Sequence, residues 1–225
     1  MTLAEIAEFL APHGLATRGA RLLGAQELSL PQIGHACTLV LIGSISPSGW
    51  RVFENSPEVR DGGANPLDRW SRRIIGGLAA GFGGAPLYPF DGPPYHPFQS
   101  WARRADSVFV SPLGLLIHPE FGLWHSYRGA VAVSGEIAIP PNPALASPCE
   151  NCVAKPCLSA CPVGAFAPGS YDVETCVAHL GTSDGARCMD GGCLARNACP
   201  VSREYAHAPA QARFHMQAFR RARTA

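Results

Sequence analysis

The cysteines of this chain are the residues best suited to chemistry, and eight of the nine lie between residues 149 and 199. They occur as C-x2-C-x4-C-x3-C-P, then a single cysteine, then C-x4-C-x5-C-P. Eight thiolates can ligate two 4Fe-4S clusters, and in two-cluster ferredoxins the cysteine before proline ligates the other cluster. This order predicts two ligand sets: the first cysteine set is Cys149, Cys152, Cys157 and Cys199, and the second cysteine set is Cys161, Cys176, Cys188 and Cys193.

Two other uses of clustered cysteines stay open at this point. A disulfide framework is typical of small secreted chains, but residues 1–10 lack the charged and apolar regions of a signal peptide. Structural zinc also takes four thiolates in C-x2-C pairs, but zinc gives no reason for the two cysteine-proline junctions. The ninth cysteine, Cys37, lies in an apolar run and is expected to pack as a small hydrophobic residue.

The composition indicates a globular, loop-rich protein. Of its 225 residues 47% are hydrophobic, which supports a core, and 24 glycines and 21 prolines stay below the level that signals disorder. The formal net charge is +1 and 16% of residues are charged, so no broad field favours nucleic acid or an anionic membrane surface. No apolar stretch reaches the length of a membrane span. Small ligands and redox proteins are the expected partners, and the cytoplasm, where thiols stay reduced, is the expected location.

Positive charge is carried almost entirely by arginine, since Lys155 is the only lysine. Arginines near a helix C-terminus usually form a solvated face that interacts with the helix dipole. The alternative is a docking patch for an acidic flavodoxin or ferredoxin. The arginines in question are Arg213, Arg220, Arg221 and Arg223.

Local patterns predict the elements that must position these residues. Thr2 and Glu5 have the spacing of a capping box, which predicts an opening helix that Gly14 ends. Asn65 and Pro66 predict the start of a second helix, which glycines after residue 80 end. Further predicted elements are strands at about 37–45 and 129–139, a helix at 97–105, a proline-rich connector at 140–148 and a last helix at 209–223.

Residues 111–133 combine two apolar stretches around a His-Pro turn, a glycine and an aromatic pair, and this pattern predicts a hairpin. Within them LLIHPEFGLWHSYRGAV resembles the signature of the cobalamin-processing family that includes the human cobalamin type C disease protein. Residues 90–120, and the segments PCENCVAKPCLSACPVGAF, ETCVAHL and CMDGGCLARNACPVSREY, resemble epoxyqueuosine reductase. Together the resemblances cover residues 85–205.

Both relatives bind a corrinoid in a scaffold of nitroreductase type. The resemblance therefore implies an α+β fold class, in which a nitroreductase-like corrinoid-binding scaffold precedes a C-terminal ferredoxin-like module with two 4Fe-4S clusters. The implied domains are a corrinoid-binding domain at 1–145, the ferredoxin-like module at 146–205 and a C-terminal helix at 206–225. The proline-rich connector marks the boundary between the first two.

The resemblance also implies roles for residues outside the cysteine sets. His118, Trp124 and Arg128 match the cobalamin type C signature and would lie at or near the corrinoid. Asp91 stands where epoxyqueuosine reductase has its proton-donor aspartate. Further cofactor-binding candidates are Tyr95, His96 and Tyr127.

Ordinary structural roles stay open for the same residues. His118 could be a satisfied turn histidine, and the aromatic residues that follow it could belong to the core. Asp91 could be a surface residue of an Asp-Gly turn. Arg128 could pair with Glu120 or Glu136 instead of binding a ligand.

The expected function is that of an iron–sulfur reductase linked to cobalamin. A soluble donor such as flavodoxin, ferredoxin or a flavin reductase would supply single electrons, and two clusters would pass them to the corrinoid. The corrinoid would be either the compound that is reduced or the cofactor that reduces a small substrate. Two alternatives are a ferredoxin-type electron carrier without corrinoid and a reductase that binds flavin. The glycine-rich residues 76–84 lack the G-x-G-x-x-G phosphate motif that would favour flavin.

Overall fold

The computed structural model describes residues 2–24, 27–31 and 33–224, and the chain forms two compact units. The first unit comprises Met1–Ser107 and His125–Ala144, and the second comprises Val108–Trp124 and Leu145–Ala225.

The helices are α1 Leu3–Leu10, α2 Ser48–Glu54, α3 Pro57–Arg60, α4 Pro66–Gly81, α5 Phe98–Ala105, α6 Pro156–Ser159, α7 Val173–Leu180, α8 Ala186–Gly191, α9 Leu194–Asn197 and α10 Pro209–Thr224. The strands are β1 Ala16–Leu22, β2 Ser29–Leu30, β3 Gly34–His35, β4 Thr38–Ile45, β5 Ala85–Leu87, β6 Phe109–Val110, β7 Leu116–Ile117, β8 His125–Val133, β9 Phe166–Ala167 and β10 Ser170–Tyr171. Short 3-10 helices occupy Ala11–His13 and Arg203–Tyr205.

The first unit is built on a four-stranded antiparallel sheet in the order β1, β4, β8, β5. β4 and β8 pair from Thr38 opposite Val133 to Ile45 opposite His125, with one irregularity after Ile42. Helix α4 packs on β8, and α1 and α5 pack on β1. Because β4 is buried over most of its length, its residues form a nearly continuous apolar run. The unit is a mixed α and β structure.

Local sequence signals set the ends of the main helices. The Thr2 hydroxyl accepts a hydrogen bond from the Glu5 N–H at 3.2 Å, and the Glu5 carboxylate accepts one from the Thr2 N–H at 2.7 Å. The predicted capping box is therefore confirmed. Helix α4 begins at Pro66, as predicted, and its buried residues include Trp70 and Ile74. Helices α5 and α10 also lie in their predicted segments.

The predicted hairpin at 111–133 is wrong. Strand β7 pairs with β6, whereas β8 pairs with β4 and β5. The strand expected at 129–139 is β8, which begins at His125 and ends at Val133. The physical reason is that the first apolar stretch is buried among cysteines, since Leu113 and Ile117 share a cluster with Cys157.

In the residues that the structure describes, the second unit consists of four short α-helices, the 16-residue helix α10, two two-stranded sheets and loops. Its buried cluster joins Leu113, Ile117 and Leu123 to Cys157 and Cys199. Residues 108–124 therefore group with the cysteine segment, and α10 groups with it by packing on α7 and α8. The units therefore differ from the implied domains in two segments. Residues 108–124 lie in the second unit instead of the first domain, and α10 belongs to the second unit instead of standing apart. Within the described ranges, no helix combines the length and apolar character that crossing a membrane requires.

Candidate functional site

The four members of the first cysteine set line one cavity in the second unit. The cavity has about 360 Å³ of empty space, part of it open to solvent. Three of these cysteines come from α6 and the loop before it, and Cys199 comes from the segment after α9. Most of the other lining side chains are apolar, and they include Leu113, Ile117, Leu123 and Val201.

The second cysteine set lines another cavity in the same unit, with about 300 Å³ of empty space. Cys176 lies on α7, Cys188 lies on α8, Cys193 directly precedes α9, and Cys161 follows α6. The other residues around this cavity include Phe166, His179, Leu180 and Met216.

The two cysteines that precede proline exchange places between the two runs. Cys161 belongs by sequence to the run around the first cavity but lines the second, and Cys199 does the reverse. This is the exchange that the sequence order predicts for ligands of paired 4Fe-4S clusters. The structure places each predicted set around one cavity, and the assignment of the cysteines as ligands stays a prediction.

Burial raises the pKa of several of these thiols, and cysteines of the same set raise it further. The pKa of Cys149 and that of Cys157 are each raised first by burial and then by Cys199. In the second set, burial and the neighbours Cys161 and Cys176 raise the pKa of Cys188. Four sulfurs around one desolvated cavity become stable as thiolates when a positively charged metal core is bound among them.

The chemistry of the donors fits a sulfur-ligated cluster. None of the nine cysteines is in a disulfide. Within the described part of the chain, no group of three or more His, Cys, Asp or Glu side chains is arranged to hold a metal ion. Each cavity nonetheless offers four thiols and mostly apolar surroundings. Thiolates are the donors that iron–sulfur clusters take.

Nitrogen donors beside the cavities also fit a sulfur-rich ligand. The Ala165 N–H donates to Cys161 Sγ at 3.4 Å. Burial raises the pKa of Cys193, and the backbone N–H groups of Arg196 and Ala195 partly offset this. Two buried nitrogens, Arg196 Nε and His179 Nε2, have no hydrogen-bond partner among the residues that the structure describes. Hydrogen bonds to cluster sulfurs adjust reduction potential.

Trp124 is a core residue of the second unit, with 1% of its surface exposed. Its Nε1–H donates to the Val201 carbonyl at 3.1 Å. The guanidinium groups of Arg196 and Arg203 lie 5.3 and 5.2 Å from the centre of its ring. At Gly122, where φ is +57°, a Cβ would lie 2.6 Å from the Val201 carbonyl oxygen. This segment therefore packs directly against the chain that follows Cys199.

His118 is a buried turn histidine. Its Nδ1 accepts hydrogen bonds from the N–H groups of Glu120 at 3.0 Å and Phe121 at 3.3 Å, which places a ring proton on Nε2. Its ring stacks on Phe121, with 4.5 Å between the ring centres. These contacts fix the turn that leads to Trp124.

Arg128 connects β8 to α4 in the first unit. Its guanidinium pairs with Asp68 at 2.7 Å and its Nε donates to Ser71 Oγ at 3.0 Å. The pairing with Glu120 or Glu136 that the sequence suggested is wrong, because Asp68 on α4 is the carboxylate that meets the guanidinium. Burial lowers the pKa of Arg128, and Asp68 acts in the opposite direction.

Asp91 belongs to the same cluster as Arg128. Its carboxylate, whose side chain is 38% exposed, pairs with Arg72. The Arg72 guanidinium lies 4.7 Å from the ring centre of Tyr88 and 5.0 Å from that of Phe90, and Arg128 lies 5.8 Å from the same Phe90 ring. The fold thus brings two predicted site residues together around Phe90.

Tyr127 lies beside Arg128 on β8 but belongs to another network. Its hydroxyl donates to Asp106 at 2.7 Å, and Arg18 pairs with the same carboxylate at 2.9 Å. Burial raises the pKa of Tyr127, and the charge of Asp106 raises it further. These contacts hold the Tyr127 hydroxyl against Asp106 within the first unit.

Tyr95 and His96 lie in the irregular segment before α5. Tyr95 is 64% exposed, and the His96 ring stacks on Trp101 with 5.6 Å between the centres. Together with Asp91, they are the predicted corrinoid residues of the first unit that lie nearest its surface.

The glycine-rich residues 76–84 form the end of a helix. Gly76, Gly77 and Gly81 lie in the second half of α4, and the free backbone groups at that end are carbonyls. Phosphates bind at helix N-termini, where N–H groups are free. This run therefore gives no phosphate cradle for a flavin.

Three residues that the structure places near the candidate sites were not predicted from the sequence. Arg196 stands between two predicted ligands, Cys193 and Cys199, and this position was a usable signal. Tyr171 has a pKa raised by burial and then by a hydrogen bond with Cys176. The residues next to Arg72 in the sequence give no indication of its ion pair, because its partner Asp91 lies after α4 and β5.

No family model matches the sequence, and no curated protein matches it. Among solved structures, epoxyqueuosine reductase from Streptococcus thermophilus matches with a TM-score of 0.51 and 16% identity, over 89% of this chain and 66% of that one. The C. elegans B12-trafficking protein CblC, a human MMACHC homologue, matches with a TM-score of 0.53 and 14% identity, over 97% of this chain and 96% of that one.

At these identities the likeness shows the fold alone. The two resemblances stated from the sequence are confirmed at that level. The chain spans slightly less than two thirds of the length of the reductase that it matches.

Proposed function

We propose that this chain is an iron–sulfur oxidoreductase that passes single electrons through two 4Fe-4S clusters to a bound cobalamin. One observation carries the proposal: each predicted cysteine set lines its own cavity, with the two cysteine-proline residues exchanged between the runs. Four thiolates for each cavity match the ligand count of one cube. In this proposal residues 146–205 are the ferredoxin-like module, and the cytoplasm is where its thiols stay reduced.

The residues of the chain would hold and shield these clusters. The eight cysteines would ligate iron, and apolar side chains such as Leu113 and Ile117 would limit the access of water to the first cavity. The Ala165 N–H would donate to the sulfur of a bound Cys161. When bound, the clusters supply one-electron transfer, and the corrinoid supplies a cobalt centre that reacts in low oxidation states.

The corrinoid part of the proposal draws support from the fold shared with the B12-trafficking protein and the reductase. Residues 1–145 would be the nitroreductase-like binding domain. Asp91, Tyr95 and His96 would contact the ligand, because they lie nearest the surface of their unit. The half-buried candidates Tyr127 and Arg128 would position the scaffold instead of touching the ligand. His118 and Trp124 would do the same for the second unit.

Asp91 is the proposed proton donor, and its ion pair with Arg72 determines when the carboxyl group can donate. A carboxylate that is paired with a guanidinium only accepts hydrogen bonds. To act as a general acid, Asp91 must take up a proton and separate from Arg72. The cobalamin would be either the compound reduced or the cofactor that reduces a small substrate.

The electron donor would be a soluble acidic protein such as a flavodoxin or ferredoxin, or a flavin reductase. Helix α10 carries exposed arginines and no acidic residue. It packs on α7 and α8, which hold Cys176 and Cys188, and its Met216 lines the second cavity. A donor that docks there would reduce the second cluster first.

Analysis of iron and acid-labile sulfide in anaerobically purified protein tests the cluster proposal. We expect about eight irons per chain and a paramagnetic signal after reduction with dithionite. Colourless protein that contains zinc would contradict it.

Titration of the iron-loaded protein with cob(II)alamin tests the corrinoid proposal separately. We expect the cobalamin spectrum to change at saturating protein and the change to be smaller in Tyr95→Ala. An unchanged spectrum at saturating protein would remove the corrinoid and leave the clusters.

The second candidate function is a ferredoxin-type electron carrier without corrinoid. One observation favours it: four predicted corrinoid residues are held by protein partners, namely His118, Trp124, Tyr127 and Arg128. Full iron content without a response to cobalamin would select this function. A flavin spectrum in freshly purified protein would select the flavin-binding alternative.

A further inference from the structure

Arg196 lies between the two cysteine sets. It is on α9, three residues after Cys193 of the second set and three residues before Cys199 of the first. Its own N–H faces the Cys193 sulfur, and its carbonyl accepts a hydrogen bond from the Cys199 N–H at 3.1 Å. The backbone at Arg196 is thus connected to one predicted ligand of each cluster.

The Arg196 side chain is fixed inside the second unit. One guanidinium nitrogen donates to the Leu123 carbonyl, and the group lies 5.3 Å from the centre of the Trp124 ring. Its Nε is buried and has no hydrogen-bond partner in the part of the chain that the structure describes. A buried donor without an acceptor is destabilising, which points to an acceptor that the polypeptide does not itself supply.

The guanidinium keeps its charge in this environment. Burial lowers the pKa of Arg196 to about 10, and attraction to Cys193 and Cys199 opposes this, so the group is charged at neutral pH. His207 lies 3.4 Å away. Burial lowers the pKa of His207 to about 2, with the charge of Arg196 as the next cause, so this ring is neutral.

We propose that Arg196 is a positioning residue that raises the reduction potentials of both 4Fe-4S clusters by holding one buried positive charge beside a ligand of each. The inference rests on the proposed function, because it requires both clusters. Reduction adds a negative charge to a cluster, and a nearby cation in a medium of low dielectric stabilises that charge. The unpaired Nε–H is a further donor for cluster sulfur.

Arg203 provides a matched control. It lies 5.2 Å from the same Trp124 ring but is exposed. Its charge, like that of Arg196, lowers the pKa of Cys199 against the burial that raises it. We therefore expect Arg203 to act on the cluster of the first set alone, and weakly because solvent screens it.

The experiment is a redox titration of the full chain, followed by electron paramagnetic resonance, on wild type and three variants with measured iron content. We expect Arg196→Met to lower the midpoint potentials of both clusters. Arg196→Lys keeps the charge but lacks the Nε–H, so it should shift both potentials less than Arg196→Met does. Arg203→Gln should lower at most one of them.

Unchanged potentials in Arg196→Met would overturn the inference. Equal shifts in Arg196→Lys and Arg196→Met would also overturn it, because the shape of the side chain would then matter instead of its charge, and so would loss of iron from both. Loss of iron from Arg196→Met alone would overturn it as well, because the charge would then act on retention of the clusters instead of on their potentials. Failure of the proposed function itself looks different, because wild type would then lack iron and sulfide.

Discussion

Single cysteines complete the set of four thiols around each cavity. Cys161 and Cys199 each stand at the end of one run but line the cavity of the other. If each set holds a cluster, each cluster takes one thiolate from a loop that mainly holds its neighbour. The exchange also gives the ligand assignment a test that a simple count of cysteines does not offer.

We predict that Cys161→Ser removes the cluster of the second set and leaves that of the first. Iron should fall from about eight to about four per chain, because one cube loses a ligand. The paramagnetic signal that remains should match that of Cys176→Ser and differ from that of Cys149→Ser. The control is Cys37→Ser, whose iron content should equal wild type because Cys37 lines neither cavity. A Cys161→Ser signal that matches Cys149→Ser would contradict the exchange.

At the scale of elements, α10 combines packing with surface charge. Its Gln211 and Ala212 are buried, while Arg213, Arg220 and Arg221 are exposed. Arg213 pairs with Asp190 of α8 at 3.1 Å. The helix therefore presents cations close to the second cavity, where an acidic donor would be attracted.

We predict that the double variant Arg220→Glu and Arg221→Glu slows reduction by an acidic flavodoxin about tenfold or more at low salt. The difference should shrink as salt screens the charges. Stopped-flow absorbance at several ionic strengths measures this. The matched control reverses the exposed Arg51 and Arg60 of the first unit, which changes the net charge equally and should have little effect. Reduction by dithionite should be the same in all three proteins.

An ion pair between α3 and α4 gives the first unit a pH-dependent contact. The Arg73 Nε donates to the Glu58 carboxylate at 2.6 Å, and this hydrogen bond is the main cause that lowers the pKa of Glu58 below 4.5. Stability from a lowered carboxyl pKa is present above pH 4.5 and is lost as the pH falls through the pKa of the folded state.

We predict that Glu58→Gln destabilises α3 and α4 by at most about 1 kcal/mol at pH 7, because Arg73 is half exposed and solvent weakens the pair. The difference from wild type should disappear as the pH falls below 4.5. Hydrogen exchange of peptides from residues 57–81 measures it. Glu54→Gln, at an exposed position on α2, is the control. A difference that persists at low pH would show that packing, and not charge, is responsible.

At the scale of the whole molecule, the two units have different sources of stability. The first has a four-stranded sheet with buried residues such as Leu41, Ile42 and Trp70. The second has mostly short elements besides α10, and its buried cluster includes Cys157 and Cys199. Because cysteines form part of this core, we expect its stability to depend on the metal that they would bind.

We predict that removal of iron by a chelator unfolds the second unit and leaves the first folded. Peptides from 108–124 and 145–224 should lose protection from hydrogen exchange. Peptides from β4 and β8 should keep theirs, because their hydrogen bonds lie in the sheet. Equal loss of protection in both units would contradict separate stabilisation, and no loss in either would contradict metal-dependent folding.

The sequence by itself determined what depends on neighbours in the chain. The capping box at Thr2 and Glu5 and the proline that begins α4 specify helix ends, because a few adjacent residues satisfy the free backbone groups there. The order of the cysteines also predicted which four would line each cavity, because the rule that the cysteine before proline ligates the other cluster assigns the distant member of each set.

Only the tertiary structure decided which distant segments meet. It paired β8 with β4 instead of β7, set Asp68 against Arg128, and set the Arg196 guanidinium against the Leu123 carbonyl. The physical reason is that a local pattern fixes backbone conformation, whereas the partner of a strand edge or of a buried charge depends on which surfaces bury the most apolar area together.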